Sequence, residues 1–366
     1  MYPYHMMDVQ AIKNLVYNYF NVVDYVYDVI DNVLDFKVVI EPDIKNKFES
    51  LYYILRERYN LACFIRRISH DFAILRVFKL EKKESKPILN IIMLIATLSM
   101  ILFSGWLFAN NEFFQAVYHE NPIVTTLEFS ISLFSIVAIH EIGHLIASKR
   151  NKIETSWPYF IPGLPDIGGT FGAIIVQKTP PHNRDALFDI GFSGPIAGFI
   201  VALIVTVFGY MISVPISHEE LERLSALYPG QVGEIPVPIL FIVIGNLVKD
   251  VPPGYELVLH PVAFAGWVGF LITGLNLFPA SQLDGGHISR ALFGYELHGK
   301  ITILCGLILI IIGFIPMGLL VLLLHTHAKH PGALDDVSEL STSRKILAVF
   351  AFSLIILCTP PFFIFY

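Results

Sequence analysis

The stretch Ile123–His144, IVTTLEFSISLFSIVAIHEIGH, decides how this chain is read. Ile123 to Ile139 is an apolar run suited only to a membrane helix or a deeply buried one, and it ends in His140-Glu141-Ile142-Gly143-His144. Residues four apart share one helix face, so His140 and His144 can present two imidazole nitrogens to one metal ion. Glu141 follows close enough to polarise a water on that metal. Three ionisable side chains at the end of a bilayer span cost several kcal/mol unless paired, ligated or facing a wet cavity, roughly 2.5–3.5 kcal/mol for a lone carboxylate. The bland alternative is a pair of hydrogen-bonded histidines at the membrane interface.

Composition bounds the class. The 366 residues are 54% hydrophobic and 15% charged, with a mean hydropathy of +0.62; a soluble domain carries about 25% charged residues. An integral membrane protein is therefore expected. A net charge of −6 and the lack of a long basic run argue against a nucleic-acid partner. Cys63, Cys305 and Cys358 lack metal-ligand spacing, so neither a disulfide framework nor a Cys-rich zinc site is expected. The N-terminus MYPYHMMDVQ has no basic segment leading into an apolar core, so it reads as neither secretory signal nor transit peptide.

Residues 1–86 carry much of the charge and read as a soluble α/β domain. Apolar residues at near-helical period predict a helix over Asp8–Leu34, then a strand at Phe36–Ile40. A second helix is predicted from Pro42-Asp43 to about Tyr59, followed by strands at Leu61–Ile68 and Phe72–Leu80. His70-Asp71 reads as a turn. The charged linker Glu81–Lys86 then leads into a membrane body, 87–366, with spans at about 87–108, 123–148, 186–213, 259–288, 301–324 and 345–366. Gly313, Pro316 and Gly318 leave open whether 301–324 is one kinked span or two short helices. Val237–Val248 is too short to cross and reads as re-entrant or surface-lying.

Charge placement sets orientation. Lys82, Lys83, Lys86, Lys149, Arg150, Lys152, Arg184, Arg290 and Lys300 all flank one side of these spans, whereas loops 109–122 and 214–236 are neutral to acidic. The positive-inside rule puts the N-terminal domain and the HExxH end in the cytoplasm.

A second cluster, Asn276-Leu-Phe-Pro279-Ala-Ser281-Gln-Leu-Asp284-Gly285-Gly286, ends the fourth span. Asp284 there carries the same penalty as the histidines, and a zinc ion would relieve all three. His144 and Asp284 each stand a few residues from a basic boundary, roughly 7–9 Å inside it. Span parity brings both to the same face. His140, His144 and Asp284 supply three ligands and leave a fourth tetrahedral position for water, as in catalytic rather than structural zinc sites. The ion would lower the pKa of that water, Glu141 would take its proton, and the reaction class is peptide-bond hydrolysis. Asn276 either donates to substrate or a developing oxyanion, or makes an ordinary interhelical hydrogen bond. Pro279 and Gly285-Gly286 would loosen the helix around Asp284.

With both clusters in view, the chain resembles the site-2 protease family of intramembrane zinc metalloproteases, whose signatures are HExxH on one span and NxxPxxxxDG on a later one. Asn276 to Gly285 matches the second at every defined position, and the resemblance covers about residues 88–366. Pro158–Pro162 with Gly169–Ile174, and His260–Trp267, resemble the chloroplast branch. Ser281 replaces a proline that many members carry. Without that branch's transit peptide, an organellar address is not expected; the cell membrane is. The resemblance implies that His140, His144 and Asp284 bind zinc and that Glu141 is the catalytic base.

Ser156 to Gln177 is too rich in Pro and Gly for a helix, while Phe171–Val176 favours strand. The resemblance implies a hairpin, 156–177, dipping into the membrane beside the site. Its edge, at Phe171, Gly172, Ala173 and Ile174, could pair with an unwound substrate segment; the alternative is a surface hairpin without substrate contact. Gly194 and Gly198 read as helix-packing residues near the site, and His182, His287, His325, His327 and His330 as interfacial. The expected fold is thus a polytopic α-helical membrane protein of about six transmembrane helices with a small membrane-associated β-hairpin and an N-terminal soluble α/β domain. The expected function is that of an intramembrane zinc endopeptidase acting on transmembrane protein substrates in the lipid bilayer. Its competitors are an intramembrane metal transporter, an inactive membrane-binding pseudoprotease, and the membrane zincin type that processes prenylated C-termini. The transporter would need ligands stacked along a route across the bilayer, and the prenyl-type zincin a Glu-bearing third-ligand helix. Substrate identity and oligomeric state are not written in the sequence.

Overall fold

The computed structural model describes residues 8–79, 87–231, 233–327 and 330–360. The linker Glu81–Lys86 and the last six residues of the expected span 345–366 lie outside the described residues. Helix α1 (Val9–Tyr19) starts where the Asp8 side chain accepts the Ala11 N–H, and it stops at Phe20. The helix predicted to Leu34 therefore ends early, and a hairpin of β1 (Val22–Asp28) and β2 (Val33–Val39) takes its second half. Val22, Val23, Tyr25, Val26 and Tyr27 are β-branched or aromatic and favour the pleated surface over a helix. Asp28 Oδ1 accepts the Ile30 and Asp31 N–H groups, and Asn32 adopts φ 53°, which closes the turn.

Helix α2 (Ile44–Tyr59) and strands β3 (Leu61–Arg67) and β4 (Phe72–Lys79) follow close to expectation. The antiparallel sheet has the order β1-β2-β4-β3 and gains one strand over the sequence expectation. Its core is built from residues such as Val16, Phe36, Phe48, Leu51 and Leu75, and it also takes Leu334 and Val337 from far along the chain.

The remaining chain is mostly helical. It comprises α3 (Pro87–Ala109), α4 (Glu112–Tyr118), α5 (Pro122–Arg150), β5 (Tyr159–Pro162), β6 (Thr170–Ile174), α6 (Arg184–Ile212), β7 (Val214–Ser217), α7 (His218–Leu227), α8 (Ile239–Val248), β8 (Tyr255–Val258), α9 (Pro261–Leu277), α10 (Asp284–Ile311), α11 (Ile315–His327) and α12 (Thr342–Cys358). Among the described residues, α3, α5, α6 and α10 are long and apolar enough to cross a membrane. Ile91, Ile92 and Ile95 of α3 are each more than half exposed, a face that suits lipid and not water. Helix α8 has ten residues, about 15 Å, and is too short to cross.

The expected span 259–288 is interrupted. Helix α9 ends at Leu277, residues 278–283 turn, and α10 starts at Asp284. Pro279 cannot continue a helix, Ala280 N–H closes a tight turn onto Phe278 O at 2.7 Å, and Ser281 takes φ 50°. Proline could not adopt that φ, and the Ser281 N–H is in use, donating to Thr302 Oγ1 at 3.0 Å. The turn folds so tightly onto α9 that a Cβ on Gly285 would collide with Leu277 O.

The expected span 301–324 likewise divides. Helix α10 runs to Ile311, and α11 starts at Ile315 and returns antiparallel, with Gly306 against Leu322 and Gly318 against Ile310. Gly294 (φ 77°, ψ −172°) breaks α10 itself into a short arm bearing Asp284 and a longer one. Because 295–327 goes out and back, residues 334–336 reach the end of the bundle where α6 begins and the N-terminal sheet sits. A single crossing by 301–324 would have put them at the other end.

Candidate metal centre

Helix α5 puts His140 and His144 one turn apart, and both are buried with Glu141. Asp284, in the first turn of α10, completes a trio. His140 Nε2 and His144 Nε2 lie 3.0 Å apart, and Asp284 reaches them at 3.2 and 3.3 Å through its two carboxylate oxygens. Donors bound at about 2.0–2.1 Å to one tetrahedral ion stand roughly 3.3 Å from each other, so the spacing fits a single zinc-sized ion. The protonation pattern fits as well. His144 Nδ1 faces Ile190 O at 2.8 Å, and a carbonyl only accepts, so Nδ1 carries the proton and the Nε2 lone pair points into the trio. Glu141 Oε1 stands 4.0 Å from His140 Nε2, adjacent to the trio without joining it. The arrangement offers two imidazole nitrogens, one carboxylate and a spare carboxylate for proton transfer.

Helix α6 forms the floor. A Cβ on Gly194 would collide with the His144 ring, and one on Gly198 would come within 3.0 Å of His140 Cβ. Gly143 of α5 meets Ser193 O, 2.6 Å from where its Cβ would be. Gly194 and Gly198 were read as packing residues; Gly194 is more specific, since any side chain there displaces His144 Nε2.

The structure brings Asp284 to the histidines by a route the sequence did not suggest. Asp284 opens a helix instead of ending one, and Arg290, read as a basic boundary, is only 1% exposed and paired with Asp336. Asn276 sits in the last turn of α9, on a different helix from Asp284, half-buried and without a side-chain hydrogen-bond partner among the described residues. His287 and His330, read as interfacial, bond each other at 2.6 Å, with His330 only 6% exposed. His182 is also buried.

Strands β5 and β6 form the expected hairpin. Strand β5 is fastened to α3, where Asn90 Nδ2 donates to Trp157 O and Pro158 O, and Ser104 Oγ to Pro165 O. No strand among the described residues pairs with the other edge of β6, whose Phe171 and Ile174 are 57% and 56% exposed. Gly172 is buried with φ 89°, and Ala173 is half-buried. At the hairpin's bend, Gly168 lies over Leu133 of α5, two helical turns and roughly 10 Å before His140.

Comparison with known proteins bears on this geometry. The sequence model of Peptidase family M50 matches residues 128–315, just over half of the chain and inclusive of all three members of the trio. The chain is 30% identical over 252 residues to the probable zinc metalloprotease EGY1, chloroplastic, of Oryza sativa subsp. japonica, covering 65% of this chain and 41% of that protein. Its Arabidopsis thaliana counterpart is 30% identical over 248 residues, 64% of this chain and 43% of that protein. The probable zinc metallopeptidase EGY3, chloroplastic, of Arabidopsis thaliana is 26% identical over 170 residues, 44% and 29% of the respective chains. The chain thus spans about two-fifths of the length of the first two. No solved structure matches it.

Proposed function

The chain belongs to peptidase family M50, and on that premise we propose that it is an intramembrane zinc endopeptidase that hydrolyses peptide bonds within or near transmembrane segments of other membrane proteins. The observation that carries this reading is the His140–His144–Asp284 trio, its histidines buried, with mutual distances of 3.0–3.3 Å and Glu141 beside it. Zinc, when held by those three residues, supplies the Lewis acidity that makes water nucleophilic near neutral pH. Glu141 takes the proton from the attacking water and returns it to the leaving amine nitrogen. Asn276, whose amide is unpaired among the described residues, donates a hydrogen bond to the substrate or to the developing oxyanion.

The substrate is a transmembrane protein, unwound locally and held along the free edge of β6 at Phe171, Gly172, Ala173 and Ile174 by backbone pairing. The enzyme sits in the cell membrane, with about six membrane-crossing segments in 87–366. The α10–α11 hairpin enters and leaves at one end, and residues 1–86 form a cytoplasmic domain. The concentration of Lys and Arg at that end supports a cytoplasmic opening of the site. Lipid and substrate are its partners; nucleic acid is not.

Glu141→Gln tests the reading. The full-length variant is expected to keep one zinc per chain and to lose cleavage of a co-expressed single-span substrate by at least 100-fold, within the range for loss of a general base. Cleavage at the wild-type rate would overturn the assignment. A comparison of membrane-protein fragments between cells bearing wild type and Glu141→Gln would identify substrates.

A further inference from the structure

Asp336 belongs to the segment 330–341 between α11 and α12, and it is the meeting point of two helices that build the metal centre. Arg290 of α10 donates to both of its carboxylate oxygens, at 2.9 and 2.7 Å. Arg184, the first residue of α6, donates to Asp336 Oδ1 at 3.1 Å and to its carbonyl at 2.8 Å. The spacing along the two helices is the same. Arg290 lies six residues after the ligand Asp284, and Ile190, whose carbonyl fixes His144, lies six residues after Arg184. Six residues of helix are about 9 Å, a rigid lever in each case. The Asp284 lever is short, because Gly294 ends that arm of α10 four residues after Arg290. One carboxylate therefore ties α6 to α10 at equal distances from His144's carbonyl partner and from Asp284, in addition to the direct packing of Gly191 against Asp284 O.

Asp336 is itself held from the N-terminal sheet. Ile65 of β3 donates its N–H to Leu334 O at 2.9 Å and accepts from the Asp336 N–H at 3.3 Å, so residues 334–336 lie as a short parallel addition to the β3 edge. Arg66 Nη1 adds a bond to Leu334 O at 2.7 Å. Gly332, at φ 74°, lets the backbone pass under the Arg290 guanidinium, where a Cβ would collide. Burial pushes the Asp336 carboxyl up, but the Arg290 hydrogen bonds and the charges of Arg290, Arg184 and Arg66 outweigh it and hold the group ionised below the usual carboxylate range.

We propose that Asp336 is a positioning residue for the metal centre, and that the N-terminal sheet, by seating residues 334–336 on the β3 edge, sets the alignment of Asp284 against His144. This rests on the zinc-site reading above. The sheet is then a support whose state the metal centre registers, through a residue that touches neither metal nor substrate.

The test uses the full-length chain in detergent. Zinc affinity is measured by chelator competition, and the visible absorption bands of the cobalt(II)-loaded protein report ligand geometry. Asp336→Asn is expected to weaken zinc 10- to 100-fold, the range for residues that orient metal ligands, and to shift the cobalt bands. Arg66→Ala, which removes one of the bonds seating the segment on the sheet and one of the three positive charges around Asp336 while leaving the Arg290 and Arg184 contacts in place, should shift the same bands with a smaller loss of affinity. Arg76→Ala, which breaks the exposed Arg76–Asp35 pair elsewhere in the sheet, should leave both readouts at wild-type values. A purely structural role for Asp336 would lower thermal stability and leave the cobalt spectrum of the folded protein unchanged. That result in Asp336→Asn, or in Arg66→Ala should Asp336→Asn not fold, overturns the proposal. Failure of the wild type to bind either metal would instead overturn the zinc-site reading.

Discussion

Two trios of metal-capable side chains occur among the described residues, His140–His144–Asp284 and Glu120–Glu128–His260. Both gather their donor atoms within 4.8 Å, and both include a buried histidine. They differ in what the far nitrogen of that histidine does. In the first, His144 Nδ1 donates to Ile190 O, which frees Nε2 as a lone pair facing the trio. In the second, His260 caps α9 by accepting the Val262 N–H on Nδ1, so the neutral ring carries its proton on Nε2 and donates it to Glu120 at 3.1 Å. Phe114 and Tyr118 pack edge-on against that ring and hold it in place. The donors stand 3.0–3.3 Å apart in the first place and 3.1 and 3.9 Å from His260 in the second; the tautomer leaves the first set open to an ion and makes the second a helix cap whose neutral ring donates to a carboxylate.

This contrast can be broken by metal analysis. Asp284→Ala is expected to take bound zinc from one per chain to none, while His260→Ala keeps it at one; a second equivalent in wild type that disappears in His260→Ala would erase the distinction. A smaller effect sharpens it. Gly194→Ala places a methyl group against His144 Nε2 and is expected to weaken zinc at least 10-fold by chelator competition, without touching the other trio. The smallest effect is on stability. His260→Ala removes a side-chain cap and should cost about 1–2 kcal/mol in denaturant unfolding, with zinc affinity at the wild-type value.

Both halves of the candidate metal centre were legible because each is written in a short, local pattern. HExxH places two histidines on one face by helix geometry alone, and Asn276 to Gly285 matches its signature position by position. The parts that the sequence hid depend on partners far away or on backbone geometry. Arg290 looked like a basic boundary because its carboxylate lies 46 residues further along the chain. Val22 to Tyr27 fell near a helical period, yet β-branched and aromatic side chains found a better surface in pairing with β2. Pro279 and the glycines near Asp284 were read as loosening one helix, whereas the Ser281 turn separates two. The tautomers of His144 and His260 were invisible in principle, since they are set by a carbonyl of α6 and an N–H of α9.

The seating of residues 334–336 on β3 has a consequence in time. Arg66 and Leu334 are 268 residues apart, and at a synthesis rate of about 5–20 residues per second that interval lasts on the order of tens of seconds. Throughout it, the nascent sheet presents an unpaired β3 edge and a core lacking Leu334 and Val337, both invitations to wrong pairing. Within the same interval α5, α6 and α10 are completed in turn, but the carboxylate that joins α6 to α10 is not yet made. A chain wired in this way stays unassembled while the ribosome is still supplying its parts.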